Sequence, residues 1–234
     1  MPDPVLAVSG LDAFYGDFQA LFGVSVAIEP GEVLAMIGAN GAGKSTFLNA
    51  VAGLVPARRD AIRFRGEPIG GLSADQVLRR GIALVPEGRR LFPSLSVEEN
   101  LLIGGQLGRK GRWSLDAVFA LFPVLGERRN QPSTSMSGGQ QQMCAIGRAL
   151  MSNPDFILFD EISLGLAPIV IKSIYAVLPE IVVGGAGAII VEQDISRALS
   201  VANRVVCLQE GRVSLEGRPA DLDRAAISAA YFGI

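Results

Sequence analysis

The 234-residue sequence has no histidine, two cysteines, three lysines and one tryptophan. Without an imidazole there is no Ser-His-Asp triad, no histidine acid–base catalyst and no histidine metal ligand. Cys144 and Cys207 stand far apart in apolar surroundings (MCAIG and RVVCL) and read as small buried hydrophobes in a reducing compartment, not as a disulfide. Charge of neither sign is in excess. With 21 basic and 23 acidic residues the net charge is −2, which excludes a strongly basic nucleic-acid binder and a polyacidic tail. The longest apolar stretch, Ile181 to Val191, contains three glycines and is too short to cross about 30 Å of hydrocarbon. The opening MPDPVLAVSG has neither a basic n-region nor an apolar h-region, so no secretory signal and a cytoplasmic location are expected. No repeat of solenoid or propeller length is visible. Chemistry is left to carboxylates, lysine, backbone amides or a bound ion.

What is present is ample material for a core, 49% hydrophobic against 19% charged. Four short runs are almost continuously apolar: Val33 to Ile37, Ile82 to Val85, Phe156 to Phe159 and Ala188 to Val191. Strands apolar on both faces belong in a parallel sheet covered by helices. Helical patterns lie between them, at roughly 44–53, 96–107, 114–122, 138–152, 168–183 and 194–202. Three capping boxes are written in Ser73 with Gln76, Ser96 with Glu99 and Ser137 with Gln140. The fold class is therefore α/β. Residues 87–153 break the alternation and read as a helical insert, dividing the chain into a core of 1–86 with 154–234 and a helical subdomain of 87–153. The first 30 residues and 204–216 alternate like antiparallel strands, the latter turning at Glu210 and Gly211, so a mixed sheet edge is expected.

The chemistry enters at Gly38-Ala39-Asn40-Gly41-Ala42-Gly43-Lys44-Ser45-Thr46, a G-x-x-x-x-G-K-[ST] loop between an apolar strand and a helix. Such glycines turn backbone N–H groups inward on a phosphate chain, at which the helix also points its positive end. Lys44 would then bridge the β- and γ-phosphates and Ser45 would ligate Mg²⁺. Only three lysines occur, at 44, 110 and 172, so the one in the loop is not drawn from a large supply. The second element is Phe156 to Phe159 followed by Asp160 and Glu161. At the carboxyl end of a buried parallel strand, Asp160 can hold Mg²⁺ through water, and Glu161 can polarise an attacking water. These two motifs describe a nucleoside-triphosphate site. No N/T-K-x-D motif follows, so a Ras-like GTPase is unsupported, while a small-molecule kinase would leave the next motif unexplained.

That motif is Ser137-Gly138-Gly139-Gln140-Gln141-Gln142, about 20 residues before the Asp-Glu pair. By itself it is a helix cap. SGGQQQ followed by AIGRALMSNP and FILFDE, however, resembles the signature motif and second nucleotide strand of the ATP-binding-cassette ATPases, and the resemblance spans essentially the whole chain. It implies a RecA-like nucleotide core with antiparallel edge strands, and a head-to-tail dimer. In that dimer Ser137, Gly138, Gly139 and Gln140 would face the γ-phosphate held by a second subunit. It implies ATP and Mg²⁺ as ligands and places Tyr15 on the adenine. Two departures stand out. Glu87, in VPEGRR, replaces the usual glutamine and would take its place near the metal, and Gln193, in VEQD, replaces the usual switch histidine. A glutamine can hydrogen-bond a γ-phosphate but carries no proton, which strengthens Glu161 as the catalytic base. Leu164 to Ala167 falls at the family's D-loop, without its terminal aspartate, and Ile162 replaces a frequent proline.

VPEGRRLFPSLSVEENL, DEISLGLAP, VEQD and the closing AYFGI are similar to one of the two ATPase subunits of branched-chain amino acid importers. Urea and short-chain amide importers are the alternative within that group; a lipid-exporter or soluble regulatory ATPase is more distant. The resemblance implies a second ATPase subunit, in a heterodimer or alternatively a homodimer. It also implies two transmembrane permease subunits, an external binding protein reached through them, no nucleic acid, and a peripheral position on the cytoplasmic membrane face. It further implies that the loop starting at Glu87 receives a permease helix, with Glu87, Arg89, Arg90 and Phe92 as coupling residues.

Overall fold

The computed structural model describes residues 3–182 and 186–232. Position 183, the last of the helix expected over 168–183, and the final two residues of the AYFGI tail lie outside them. In chain order the elements begin with β1 (Leu6–Tyr15), β2 (Phe18–Ile28), β3 (Val33–Ile37), α1 (Lys44–Val51), β4 (Ile62–Phe64), β5 (Glu67–Pro68), α2 (Ala74–Arg80) and β6 (Ile82–Val85). They continue with α3 (Val97–Gly104), α4 (Leu115–Leu121), α5 (Pro123–Glu127), α6 (Gly138–Leu150), β7 (Phe156–Asp160) and α7 (Pro168–Val182). Last come β8 (Gly187–Val191), α8 (Ile195–Val201), β9 (Arg204–Gln209), β10 (Arg212–Gly217) and α9 (Arg224–Phe232).

The four apolar runs become β3, β6, β7 and β8 of a six-stranded sheet ordered β10-β9-β3-β8-β7-β6. Strands β9, β3, β8, β7 and β6 pair in parallel, and only β10 is antiparallel. In β3, β7 and β8 every residue is buried, as strands covered on both faces must be. The carboxyl ends of β3 and β7 therefore emerge at the same edge of the sheet, with β8 between them, and deliver the glycine-rich loop and Asp160 to one crevice.

The first 30 residues are not an edge of this sheet. β1 and β2 build a second, antiparallel sheet, β2-β1-β4-β5. The reason is burial: Leu6, Val8, Leu11 and Ala13 of β1 and Leu21, Val24 and Val26 of β2 form one apolar face, and it packs on Phe47 and Leu48 of α1. The free edge of β1 pairs with β4, and Phe64 meets Phe156 of the main sheet edge-on at 6.2 Å. The 204–216 hairpin forms as expected around Glu210 and Gly211, but β9 runs parallel to β3, so only β10 adds an antiparallel edge.

The opposite face of the main sheet carries Ile157, Phe159, Ala188 and Ile190, which pack with Val97, Leu101, Val118, Cys144, Ile146 and Leu150 of the helical region. Between 87 and 153 there is no strand, only α3 to α6 and loops. Ser96 and Ser137 each accept the N3 backbone N–H of their helix, as their capping boxes predict. Helices α2, α5 and α9 go beyond the expected set, although the Ser73–Gln76 box that opens α2 is visible in the sequence. Both cysteines are free and buried, and burial pushes the Cys144 thiol up to about 12, which keeps it inert.

Candidate functional site

Strand β3 ends at Ile37, and the chain turns through Gly38 to Gly43 into α1. Gly43 is the N-cap of α1 with φ 104°, and a Cβ there would meet the Leu21 side chain at 2.7 Å, so both conformation and space demand glycine. No side chain caps α1 and its first turn holds no acid, which leaves its N–H groups and positive dipole end unanswered by the chain itself.

Lys44 is only 4% exposed. Its Nζ donates to the carbonyls of Gly38 at 2.7 Å and Ala39 at 3.0 Å, and lies 3.9 Å from Glu161 Oε1. Burial lowers the Lys44 pKa, and the carboxylates of Glu161 and Asp160 oppose that. Next to it, Ser45 Oγ donates to Asp160 Oδ1 at 3.0 Å, joining the start of α1 to the end of β7. Burial raises Asp160 to about 6; the Ser45 hydrogen bond works the other way, and the neighbouring Glu161 and Glu87 raise it further. Three carboxylates thus crowd one end of the crevice with a single buried lysine between them.

That crowding bears on whether a metal fits. Ser45, Asp160 and Glu87 offer oxygen donors only, which suits a hard divalent cation, and a cation there would offset the burial and, secondarily, the carboxylate repulsion that raise Asp160. Among the described residues no three or more histidine, cysteine or carboxylate side chains converge as a complete metal cage. A cation in this place would complete its shell with ligand oxygens and water, as Mg²⁺ commonly does.

Glu161 has φ 47°, a left-handed conformation uncommon for a residue with a side chain. It is the first residue after β7, and its N–H donates to Val191 O at the end of β8. Its Oε2 accepts a hydrogen bond from Gln193 Nε2 at 2.6 Å. Gln193, expected at a phosphate, is instead tied in this structure to the carboxylate expected to act as base. Tyr15 is half exposed, and its hydroxyl donates to Thr46 Oγ1 at 3.5 Å, a long contact. Tyr15, Asn40, Gly41, Lys44, Glu87 and Gln193 all line one open cleft of about 570 Å³.

Ser137, Gly138, Gly139 and Gln140 start α6. The Gln140 amide donates to Ser137 Oγ at 3.4 Å, and the Ser137 amide donates to Gln140 Oε1 at 3.0 Å. None of the four lines the cleft, so within one chain the two glycine-rich helix starts are separate surfaces.

Of the four residues expected at a coupling groove, Arg90 and Phe92 line an apolar groove of about 360 Å³ with Leu54, Leu78 and Ile103. The other two go elsewhere: Glu87 belongs to the cleft, and Arg89 turns toward the start of α6, where its Nη1 donates to Gln141 Oε1 at 3.2 Å.

Sequence reasoning missed a buried cluster behind the cleft. Glu192 accepts from Ser163 Oγ at 2.7 Å and from Tyr175 OH at 2.5 Å, and burial raises its pKa. Ser163 lies in the turn after Glu161, and Glu192 precedes Gln193, so the cluster braces both ends of the Glu161–Gln193 contact. An acid directly after an apolar strand, as in IIVEQD, was the available signal.

Comparison with known proteins gives a consistent picture. The family model described as ABC transporter matches residues 21–163. The chain is 44% identical over 232 residues to the high-affinity branched-chain amino acid transport ATP-binding protein BraG of Pseudomonas aeruginosa, covering 98% of this chain and 100% of that protein. It is 28% identical to BraF of the same organism, which bears the same description, covering 100% and 99%. The dimeric post-hydrolysis structure of the ATP-binding cassette MJ0796 with ADP and Pi matches with a TM-score of 0.81 at 25% identity, covering 92% of this chain and 98% of that one.

Proposed function

The chain belongs to the ABC transporter family of ATP-binding cassettes, and from that premise we propose that it is the ATP-hydrolysing subunit of an importer for branched-chain amino acids. The observation that carries the transported class is the 44% identity to BraG over nearly the full length of both chains. The arrangement around Lys44 supports the chemistry.

Lys44 Nζ exchanges the carbonyls of Gly38 and Ala39 for the β- and γ-phosphate oxygens of ATP, and the open amides at the start of α1 receive the rest of the phosphate chain. Tyr15 stacks on the adenine. Ser45 and Asp160, with Glu87 beside them, would hold Mg²⁺, which would supply positive charge against the phosphate oxygens. Glu161 accepts a proton from the attacking water as the new O–P bond forms and the β,γ-bridging oxygen departs with ADP. Gln193 holds that carboxylate and, with its amide, orients the water or the γ-phosphate. The short contact between them keeps Glu161 aimed without supplying a second base.

Ser137, Gly138, Gly139 and Gln140 act on the ATP of a second ATPase subunit, so that two nucleotides are sandwiched in a head-to-tail dimer. A paired ATPase subunit with its own sequence is favoured over a second copy, since BraF and BraG carry the same description in one organism. The groove at Arg90 and Phe92 takes a helix of a permease subunit, and two such subunits and an external binding protein complete the importer. In this reading the chain sits at the cytoplasmic membrane face through these partners; no helix among the described residues is long and apolar enough to cross a membrane.

The test is uptake of labelled leucine, with urea in parallel, by cells whose copy carries Lys44→Ala. Selective loss of leucine uptake is expected. Loss of urea uptake alone moves the chain to the amide importers, and no loss of either overturns the transport reading.

A further inference from the structure

The loop after β6 follows Gly88 with two consecutive non-glycine residues in left-handed backbone, Arg89 at φ 66° and Arg90 at φ 49°. Two such residues in a row persist only where their surroundings over-determine them, and the fixing agent here is α6. Arg148, near its carboxyl end, donates from Nη1 to Arg90 O at 2.7 Å and from Nη2 to Arg89 O at 3.1 Å. The same guanidinium lies over the Phe92 ring at 5.6 Å. The loop backbone is thereby pinned to one end of α6, at the apolar groove.

The Arg89 side chain runs the other way, to the opposite end of the same helix. Its Nη1 donates to Gln141 Oε1, and Gln141 Nε2 in turn donates to the carbonyls of Ser133 at 3.3 Å and Met136 at 3.2 Å. Its Nη2 would lie 2.9 Å from a Cβ built on Gly138. The guanidinium is therefore laid directly on the second residue of the SGGQ turn. Among the described residues no carboxylate pairs with Arg89, so an ion pair does not account for its position.

Resting on the composite-site reading above, we propose that Arg89 is a positioning residue for the signature turn, holding Ser137 to Gln140 in the one geometry that meets the second subunit's nucleotide. Gln141 relays the hold to the segment before the helix, and the glycine at 138 leaves the guanidinium room to lie against the turn. The loop that lines the groove thus has its backbone on one end of α6 and a side chain on the other. A helix entering the groove and shifting Arg90 and Phe92 would move the signature turn through Arg89.

The test compares wild-type chain with Arg89→Ala, Gln141→Ala and the conservative Arg89→Lys, which keeps a cationic donor for Gln141 Oε1 and leaves Gln141 Nε2 on the Ser133 and Met136 carbonyls. Hydrogen exchange reads the first turn of α6 directly, without a partner. The backbone amides of 140–142 are expected to exchange about tenfold faster in each alanine variant, with recovery toward the wild-type rate in Arg89→Lys and no change at 41–46. Fluorescent-nucleotide affinity should stay at the wild-type value. In the reconstituted ATPase pair, kcat should fall about tenfold with KM for ATP little changed, the pattern of a lost interaction made only in the closed state. Unchanged exchange at 140–142 in both alanine variants overturns the proposal, as does loss of nucleotide affinity in step with kcat. If Arg89→Ala does not fold, Gln141→Ala and Arg89→Lys carry the same comparison. Ser137→Arg is run beside them: if it leaves cooperative hydrolysis intact, the composite-site reading fails, whatever the exchange data say of Arg89.

Discussion

Two glycine-rich turns in this molecule each open a helix, and they are finished in opposite ways. At α1 the turn is left chemically open: no side-chain cap, no acid in the first turn, and a buried lysine resting on its own loop carbonyls. At α6 the turn is closed by a capping box, with Ser137 and Gln140 answering each other's amides. The first leaves its backbone donors unanswered by any side chain, and the second has its donors answered by its own residues. A turn of the first kind binds within one chain, whereas one of the second kind needs an apposed molecule to give it a task. The contrast predicts that nucleotide affinity and turnover can be separated by substitution at one turn or the other.

The contrast breaks most sharply at Lys44 and Glu161. Lys44→Ala removes the buried cation and leaves Glu161 and Asp160 facing each other, so nucleotide affinity should drop by about 100-fold, equivalent to about 3 kcal/mol for a lost charged hydrogen-bond donor. Equilibrium titration with a fluorescent ATP analogue measures it. Glu161→Gln keeps the hydrogen-bonding shape and the contact to Gln193 but cannot accept a proton. It should bind ATP like the wild type and turn over about 1,000-fold more slowly, read by phosphate release under single-turnover conditions. Wild-type turnover would remove Glu161 from the base role.

At the other turn, Ser137→Arg should leave affinity for a single ATP unchanged, since no residue of that turn lines the cleft. Hydrolysis and its cooperativity should fall by at least about 100-fold, because an arginine cannot reproduce the hydroxyl that would meet the opposing phosphate in the proposed dimer. A parallel loss of ATP affinity would mean that the two turns are not independent.

Much of this contrast is legible in the sequence, and the rest is not for a physical reason. The loop at 38–46 and the FILFDE strand exit depend on local order: a strand, a turn and a helix start in fixed succession, each written in a few residues. The caps at Ser96 and Ser137 are equally local. What the sequence does not display is long-range pairing. That β1 and β2 form their own sheet depends on β4 meeting Leu6 to Val8 and on α1 covering their apolar face. That Arg89 turns away from Arg90 and Phe92 depends on Arg148, 59 residues later, holding the loop carbonyls. The Glu192–Tyr175–Ser163 cluster joins three segments in the same way. Gln193 shows both sides, since its loss of an imidazole is plain in the sequence and its bond to Glu161 is not.

The open turn should also cost stability, and pH exposes that cost. Asp160 keeps its proton to about 6 in the folded chain, whereas an unperturbed aspartate releases it near ~4. The folded state therefore binds more protons between these values, and stability falls as pH rises from about 4 through 6. Above that window ionised Asp160 destabilises the ligand-free chain by on the order of 2 kcal/mol. Asp160→Asn retains the acceptor for Ser45 Oγ and removes the charge. It should raise the ligand-free melting temperature at neutral pH by several degrees and flatten its dependence on pH across the window. Added Mg²⁺ and nucleotide should stabilise the wild type more than the variant. A variant less stable than wild type at neutral pH would mean that the carboxylate is already relieved by its neighbours.

The smallest effect is expected at the rim of the open turn. Tyr15 is 51% exposed in the ligand-free chain, and its hydroxyl makes only the long contact to Thr46. Its removal therefore leaves the fold almost untouched, and any consequence must come from the face of the ring. Stacking of this kind adds roughly 0.5–1.5 kcal/mol, so Tyr15→Ala should weaken ATP binding by about three- to tenfold. Tyr15→Phe should be indistinguishable from wild type. Because a flat aromatic face tolerates any purine, GTP should lose affinity to the same extent as ATP, and parallel titration of both nucleotides measures this. A loss confined to ATP would mean that the hydroxyl reads the base, placing specificity at a position where the structure provides only a surface.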